Sequence, residues 1–289
     1  MHGSREKATG KERNESMIQV LCPVCGAALS PDTAQWRCEN GHCFDVARQG
    51  YVNLLPVTQK HSLHPGDTRE MVAARREFLD AGYYQPILQT LQALVTQYAP
   101  SAEAVLDAGC GEGYYLSGLR GVGARWGIDI SKDAVRFAAA REKQAHWLTA
   151  TATHLPFADG SFDCVLSMFA FTAEAEFRRV LQPDGCFIQV LAGTEHLPAL
   201  RRIIYPEVLA REKTLHPVLD GFSLCHTQTL RFPFTLNDAA MIRNLLYMTP
   251  HVWRIRKENA DALARSTHLD EQAEVIFNVY RLDKQGEIC

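Results

Sequence analysis

Cys22-Pro-Val-Cys25 and, after twelve intervening residues, Cys38-Glu-Asn-Gly-His42 supply a C-x2-C pair and a C-x3-H pair. Each is a short loop that can aim two ligands at one ion. Four such ligands suit tetrahedral zinc and leave no open position for chemistry, so the expected role is structural. A module of about 35 residues has too small a core to fold alone, and metal binding supplies the missing folding free energy. Cys43 stands beside His42 and is an alternative fourth ligand on spacing alone. A second set of chemical residues lies in Val105-Leu-Asp-Ala-Gly-Cys-Gly-Glu-Gly113. There a buried strand runs into Gly109, Gly111 and Gly113 and then into a helix, a turn that lets a ligand approach the backbone without a Cβ in the way. Asp129, twenty residues after Gly109, ends the next strand, where a carboxylate can accept both hydroxyls of a ribose. Dinucleotide dehydrogenases share that acid and a glycine turn. Two details oppose them: the spacing is G-x-G-x-G, and Asp107, two residues before the first glycine, would repel a pyrophosphate.

These residues must be held by regular elements. After Pro100, strand-like and helix-like segments alternate: strands at 103–108, 124–130, 146–150, 162–168 and 185–192, helices at 113–120, 132–142 and 173–181. Such alternation predicts an α/β fold, a parallel sheet with helices on both faces. Upstream, Asp67 with Glu70 three residues on reads as the cap of a helix through about Leu79. A second helix from Tyr84 to Tyr98 carries the apolar stripe Ile87, Leu88, Leu91, Leu94 and Val95. Beyond the alternating region, 222–232 and 274–282 have strand character, and 237–247 and 259–266 look helical.

The 289 residues are 46% hydrophobic and 22% charged, enough to bury a sizeable core in one or two domains. A formal net charge of −3 means that nucleic-acid binding would rest on a local basic face. No apolar run approaches the roughly 20 residues that span a bilayer, and the first residues lack a signal-peptide core, so a cytoplasmic protein with no membrane partner is expected. Cysteine usage agrees with a reducing compartment. Residues 1–16 carry almost no large apolar side chain and are expected to be a disordered tail.

Two further segments choose the ligand. Leu155-Pro-Phe-Ala-Asp-Gly-Ser-Phe-Asp-Cys-Val165 resembles the L-P-F-x-D-x-S-F-D-x-V segment of class I methyltransferases. Arg179-Val-Leu-Gln-Pro-Asp-Gly185 resembles the R-V-L-K-P-G-G turn of the same enzymes, which commonly place an acid at the position of Asp107, near the methionine end of S-adenosylmethionine. With a four-ligand module in front, the chain from about Leu21 to Leu282 resembles the bacterial 23S rRNA guanine-N1 methyltransferases, the family that includes the tylosin-resistance enzymes. The most distinctive stretches are Cys38–Leu55, Pro65-Gly-Asp67, Met71–Tyr84, the glycine loop and Met248-Thr-Pro-His-Val-Trp253. The domains are then the tail at 1–16, a zinc-binding module at 17–56, a linker and N-terminal helices at 57–100 and a class I, Rossmann-like methyltransferase domain at 101–289.

The resemblance implies S-adenosylmethionine and one structural zinc as cofactors, and N1 of a guanine in a 23S rRNA hairpin loop as substrate, with the zinc module gripping the RNA. It adds Tyr84 and His196 to the cofactor-binding set Asp107, Gly109, Gly111, Glu112, Gly113 and Asp129, and favours His42 over Cys43 beside Cys22, Cys25 and Cys38. One departure touches the substrate: many members have Ala-Pro after the fourth strand, where this chain has Ala170-Phe171. A Watson–Crick-edge nitrogen is reached only on an unpaired base, commonly held by stacking. Phe169, Phe171, His251 and Trp253 are the pocket candidates. Arg48, Lys60, Arg75, Arg76, Arg254, Arg256 and Lys257 are the phosphate candidates. The proton on N1 must leave; Asp107, Glu112 and His196 are candidate acceptors, and spacing singles out none of them. A small-molecule methyltransferase and a non-catalytic zinc RNA-binding protein are the competing readings, and a homodimer is left open.

Overall fold

In the computed structural model, which describes residues 18–59, 65–205 and 213–283, the cysteine-rich segment is an antiparallel ribbon of β1 (Leu29–Ser30), β2 (Gln35–Cys38) and β3 (Cys43–Asp45). The tail expected over 1–16 and Lys60 lie outside the described residues. Strands of two to four residues cannot build a core of their own, so the ribbon needs both its metal and a surface to rest on. The chain leaves it through β4 (Val52–Asn53).

Two helices follow. In α1 (Arg69–Asp80) the cap is Thr68 rather than the expected Asp67: Thr68 has extended backbone angles, and its Oγ1 accepts from Met71 N at 3.3 Å. Asp67 is engaged elsewhere, its carboxylate ion-paired with Arg75 and its carbonyl accepting from Ser131 Oγ at 2.7 Å. The stripe predicted for α2 (Gln85–Tyr98) is the buried one, with Ile87, Leu91, Leu94 and Val95 inside.

From there the alternation holds: β5 (Ala104–Ala108), α3 (Tyr114–Gly118), β6 (Ala124–Asp129), α4 (Lys132–Arg141), β7 (His146–Thr149), β8 (Phe162–Met168), α5 (Glu174–Val180) and β9 (Leu181–Ala192). After these come α6 (Pro198–Ile204), β10 (Phe222–Leu236), α7 (Ala239–Tyr247), α8 (Lys257–Arg265) and β11 (Leu269–Leu282). The eight strands of the main sheet run in the order β10-β11-β9-β8-β5-β6-β7-β4. The sheet is mixed rather than wholly parallel, because β11 inserts antiparallel between β9 and β10. Its far edge is β4, parallel to β7, so the last strand comes from the segment that follows the cysteines.

Alternating side chains split the core in two, as a sheet buried on both faces demands. Val105, Cys164, Ile188 and Phe277 face α2 and the other N-terminal helices. Leu106, Val165, Phe187 and Tyr280 face α5 and the ribbon, whose Val20 and Leu29 join Leu155, Phe157 and Phe177 in one cluster. Backbone bonds fix that docking: Leu21 N donates to Pro156 O at 2.9 Å and Ala158 N to Gln19 O at 3.1 Å. Among the described residues no helix is long and apolar enough to cross a membrane.

One contact in the sheet has no slack. A Cβ at Gly127 in β6 would lie 2.3 Å from the ring of the buried Trp147, whose Nε1 is fixed by donation to Glu142 O at 2.9 Å. Gly127→Ala is therefore expected to cost about 1–3 kcal/mol by overpacking, read as a lower urea midpoint; an unchanged midpoint would show that Trp147 can move.

Candidate functional site

The ribbon brings its four predicted ligands together. The ligand atoms of Cys22, Cys25, Cys38 and His42 all lie within 4.8 Å of one another. Cys25 Sγ is 3.7 Å from Cys38 Sγ, and His42 Nδ1 is 3.6 Å from Cys22 Sγ and 3.4 Å from Cys38 Sγ. Metal–ligand bonds of about 2.0–2.3 Å in a tetrahedron require separations of roughly this size, so the set fits zinc. Cys43 is not part of it; its thiol donates to Gly41 O at 3.4 Å. Asn40 Nδ2 donates to Cys25 Sγ at 3.4 Å, and this bond leads in bringing the Cys25 thiol down to about 6, towards the thiolate that a metal takes.

The glycine loop opens a cavity of about 780 Å³ over the carboxyl ends of the parallel strands, where ligands of open α/β sheets bind. Gly109 has φ +91, and a Cβ there would lie 2.5 Å from that of Ala170. The first glycine thus lets the turn after β5 meet the turn after β8. Gly111 N donates to Asp129 Oδ2 at 2.9 Å, and Ser131 N to Asp129 Oδ1 at 2.8 Å. Gly109, Gly111, Glu112 and Asp129 line the cavity, together with Tyr84, His196, Phe169, Phe171, His251 and Trp253.

Two of the predicted residues are placed behind the wall instead. Gly113, at φ +84, packs against Trp147 and Ala138, where a Cβ would come within 2.7 Å of the indole. Its smallness serves helix packing. Asp107 is fully buried at the end of β5, two residues before Gly109, and among the described residues neither carboxylate oxygen has a hydrogen-bond partner. Burial, with the charge of Asp129 next, pushes it up to about 8. An unpartnered acid directly under a glycine turn is what a site for a cationic ligand would hold.

The candidate bases are mostly committed. Glu112, although it lines the cavity, is paired with Arg141 through Oε2, at 2.8 Å from Nε and 2.5 Å from Nη2. His196 Nδ1 accepts from Glu274 N at 3.2 Å, so the neutral ring carries its proton on Nε2 and donates it to Tyr84 Oη at 3.3 Å. Burial brings His196 down to about 4, which keeps it neutral. Tyr84 and His196 therefore offer the cavity a pair of fixed polar groups. Arg75, a phosphate candidate, is half-buried, paired with Asp67 and donating to Met248 O at 3.1 Å.

The aromatic candidates form the mouth. Phe171 is 68% exposed and Trp253 70%, far more than an apolar core residue would be. Phe169 is held at φ +55, an uncommon conformation for a bulky residue that local structure must enforce. Exposed Arg254, Arg256 and Lys257 follow Trp253. Sequence reasoning missed Lys213, which lines the same cavity and donates to Ala192 O, because it falls outside every motif.

A zinc ribbon seated on an α/β sheet with a glycine-turn cavity, an acid ending β6 and an unpartnered acid beneath the turn define a class I S-adenosylmethionine-dependent methyltransferase. Comparison with known proteins agrees. Residues 20–63 match the family described as RlmA, N-terminal, and 106–189 match one described as a methyltransferase domain. YxjB of Bacillus subtilis (strain 168), named "Putative 23S rRNA (guanine-N(1)-)-methyltransferase YxjB", is 31% identical over 280 residues, covering 91% of this chain and 97% of its own. The 23S rRNA (guanine(748)-N(1))-methyltransferase of Streptomyces fradiae is 40% identical over 65% of this chain and 68% of its own. A Micromonospora griseorubida relative of the same type is 39% identical over 63% and 68%. The chain belongs to the RlmA-type 23S rRNA (guanine-N1)-methyltransferase family.

Metal analysis is expected to give one zinc per chain, lost together with the fold of the ribbon in the Cys22→Ser, Cys25→Ser double variant; a metal-free yet folded wild type would count against the site. Asp107 gives a second test. The native state keeps a proton that an ordinary aspartate in the unfolded chain has already released. The ligand-free protein is therefore expected to lose stability as pH rises from about 4 to about 8, by up to about 1.4 kcal/mol per pH unit from this group. Urea titrations across that range should show a shallower slope for Asp107→Asn, and equal slopes would place the proton elsewhere.

Proposed function

We propose that the protein transfers a methyl group from S-adenosylmethionine to N1 of a guanine in a hairpin loop of 23S rRNA. One observation carries this reading: a single cavity joins the glycine turn and Asp129 at one end to the exposed rings of Phe171 and Trp253 at the other. The dimensions suit a nucleoside-type cofactor with a second ring beside it.

When bound, the cofactor supplies an electrophilic methyl group on a sulfonium, so the chain's own task is chiefly alignment, which can contribute about 7–11 kcal/mol. Asp129 would accept the ribose hydroxyls, its lone pairs oriented by Gly111 N and Ser131 N. Tyr84 and His196 would hold the methionine end, above the Asp107 carboxylate. Phe169, Phe171 and Trp253 would receive the splayed base by stacking, as proteins that act on a single base in a nucleic acid do. His251 borders the same space. The zinc ribbon and the Arg254, Arg256, Lys257 run would grip the hairpin backbone, where phosphate contacts set position. The partner is thus 23S rRNA, in the reducing compartment where ribosomes are built.

The test is transfer of labelled methyl to undermodified 23S rRNA, with the position read from reverse-transcription stops, because an N1 methyl blocks pairing. Stops at the loop guanine equivalent to 748, the position in the Streptomyces fradiae relative's name, or at a neighbour in that loop are the expected result. Label found only in small molecules overturns the reading. Phe171→Ala is expected to lower kcat/KM for the RNA roughly 5- to 150-fold while S-adenosylmethionine affinity holds.

A further inference from the structure

Guanine N1 bears a hydrogen that must leave as its bond to the methyl carbon forms, and none of the residues assigned so far removes it. The acids and bases around the cavity differ in what already occupies their lone pairs. Asp67 is paired with Arg75, Glu112 is held by Arg141 through Oε2 with a buried Oε1 that has no partner among the described residues, and Asp107, likewise unpartnered, does not line the cavity. Each oxygen of Asp129 accepts a backbone N–H and has its remaining capacity assigned to the ribose, and His196 has its one lone pair on Glu274 N. Lys213 donates to Ala192 O.

His251 is arranged differently. It sits on the single turn Pro250–Trp253, between Thr249, Pro250 and Trp253, all of which line the cavity. Its Nδ1 is 2.8 Å from Tyr205 Oη, with the rings edge to face, and its Nε2 has no hydrogen-bond partner among the described residues. We propose that Nε2 of His251 accepts the N1 proton of the target guanine, and that Tyr205 is the positioning residue that holds the ring. The step uses the tautomer in which Nδ1–H donates to Tyr205 Oη, one of the two that this 2.8 Å contact allows, so that the Nε2 lone pair is open to the cavity. The inference rests on the function proposed above.

In that step the proton on N1 passes to Nε2, and the electron pair left on N1 forms the bond to the methyl carbon. The methyl–sulfur bond breaks with its pair kept by sulfur, so a sulfonium becomes a neutral thioether. The imidazolium then returns its proton to water. The groups facing His251 are Arg201, Tyr205, Lys213, Arg254 and His196. Burial first, and then the charges of Arg201, Arg254 and Lys213, hold the ring below the usual histidine range, so at neutral pH it is in the accepting form. The same cations favour the negative charge that builds on guanine O6 as the proton leaves.

The experiment is single-turnover methyl transfer to a hairpin transcript, run from about pH 6.5 to about pH 9 with wild type, His251→Gln, Tyr205→Phe and Lys213→Met. A wild type that leaves guanine N1 unmethylated refutes the function itself. With wild type active, His251→Gln is expected to slow transfer roughly 100- to 10,000-fold at neutral pH with cofactor and RNA affinities intact. The gap should close by about tenfold per pH unit as the substrate ionises unaided, and Tyr205→Phe should show a smaller loss of the same pH shape. The assignment falls if His251→Gln transfers as fast as wild type, if its deficit is constant with pH, or if the pH-dependent deficit belongs to Lys213→Met instead.

Discussion

The carboxylate of Asp129 is the joint on which the site depends. One oxygen takes Gly111 N from the cofactor turn and the other takes Ser131 N at the start of α4. Ser131 in turn caps α4 through Ala134 N at 3.2 Å and donates its hydroxyl to the carbonyl of Asp67. Asp67 pairs with Arg75 on α1, and Arg75 donates to Met248 O just before the turn that carries His251 and Trp253. A chain of hydrogen bonds, most of them charge-assisted, thus runs from the glycine turn to the aromatic mouth of the cavity, and charge-assisted bonds are the stronger ones in a partly buried setting. The glycine turn and the turn that carries His251 and Trp253 are held by the same groups.

The ribbon solves a different problem. A sheet with helices on one face and too few on the other would leave Leu106, Val165 and Phe187 short of cover. Here α5 and the metal-stapled strands share that duty. The seat they use is Leu155–Ala158, so the apolar residues of the L-P-F segment hold the ribbon, and Leu155 and Phe157 are buried for that reason. The motif that marks the methyltransferase class in the sequence serves packing in the fold.

Much of this was legible in the chain. The strands and helices from 103 to 192 follow from their periodicity, Cys22, Cys25 and Cys38 from loop spacing, His42 over Cys43 from the family resemblance, and the aromatic mouth from rings in turn-like stretches. The rest depended on contacts between distant residues. Thr68 displaced Asp67 as a cap because a partner eight residues on, Arg75, held the aspartate. Helix α6 carries only Leu200 and Ile204 as buried residues, too little pattern for a seven-residue element. The antiparallel place of β11 depends on pairing with β9, more than 80 residues earlier in places, and no local feature announces it. Gly113 looks like a ligand-binding glycine until Trp147, 34 residues on, is brought against it. His251 and Tyr205 are separated by 46 residues, so the pair is invisible before folding.

The parallel pairing of β4 with β7 makes the ribbon more than a neighbour of the catalytic sheet. The chain must pass through the metal module before it can close the edge of the sheet, and the module must be seated before one face of that sheet is dry. A nascent chain short of zinc would therefore present an unfinished edge and a row of wet aliphatic side chains, the two features that invite association between chains. On this view the metal would bear on solubility before it bears on the rate of methyl transfer, because it holds the module that covers the sheet.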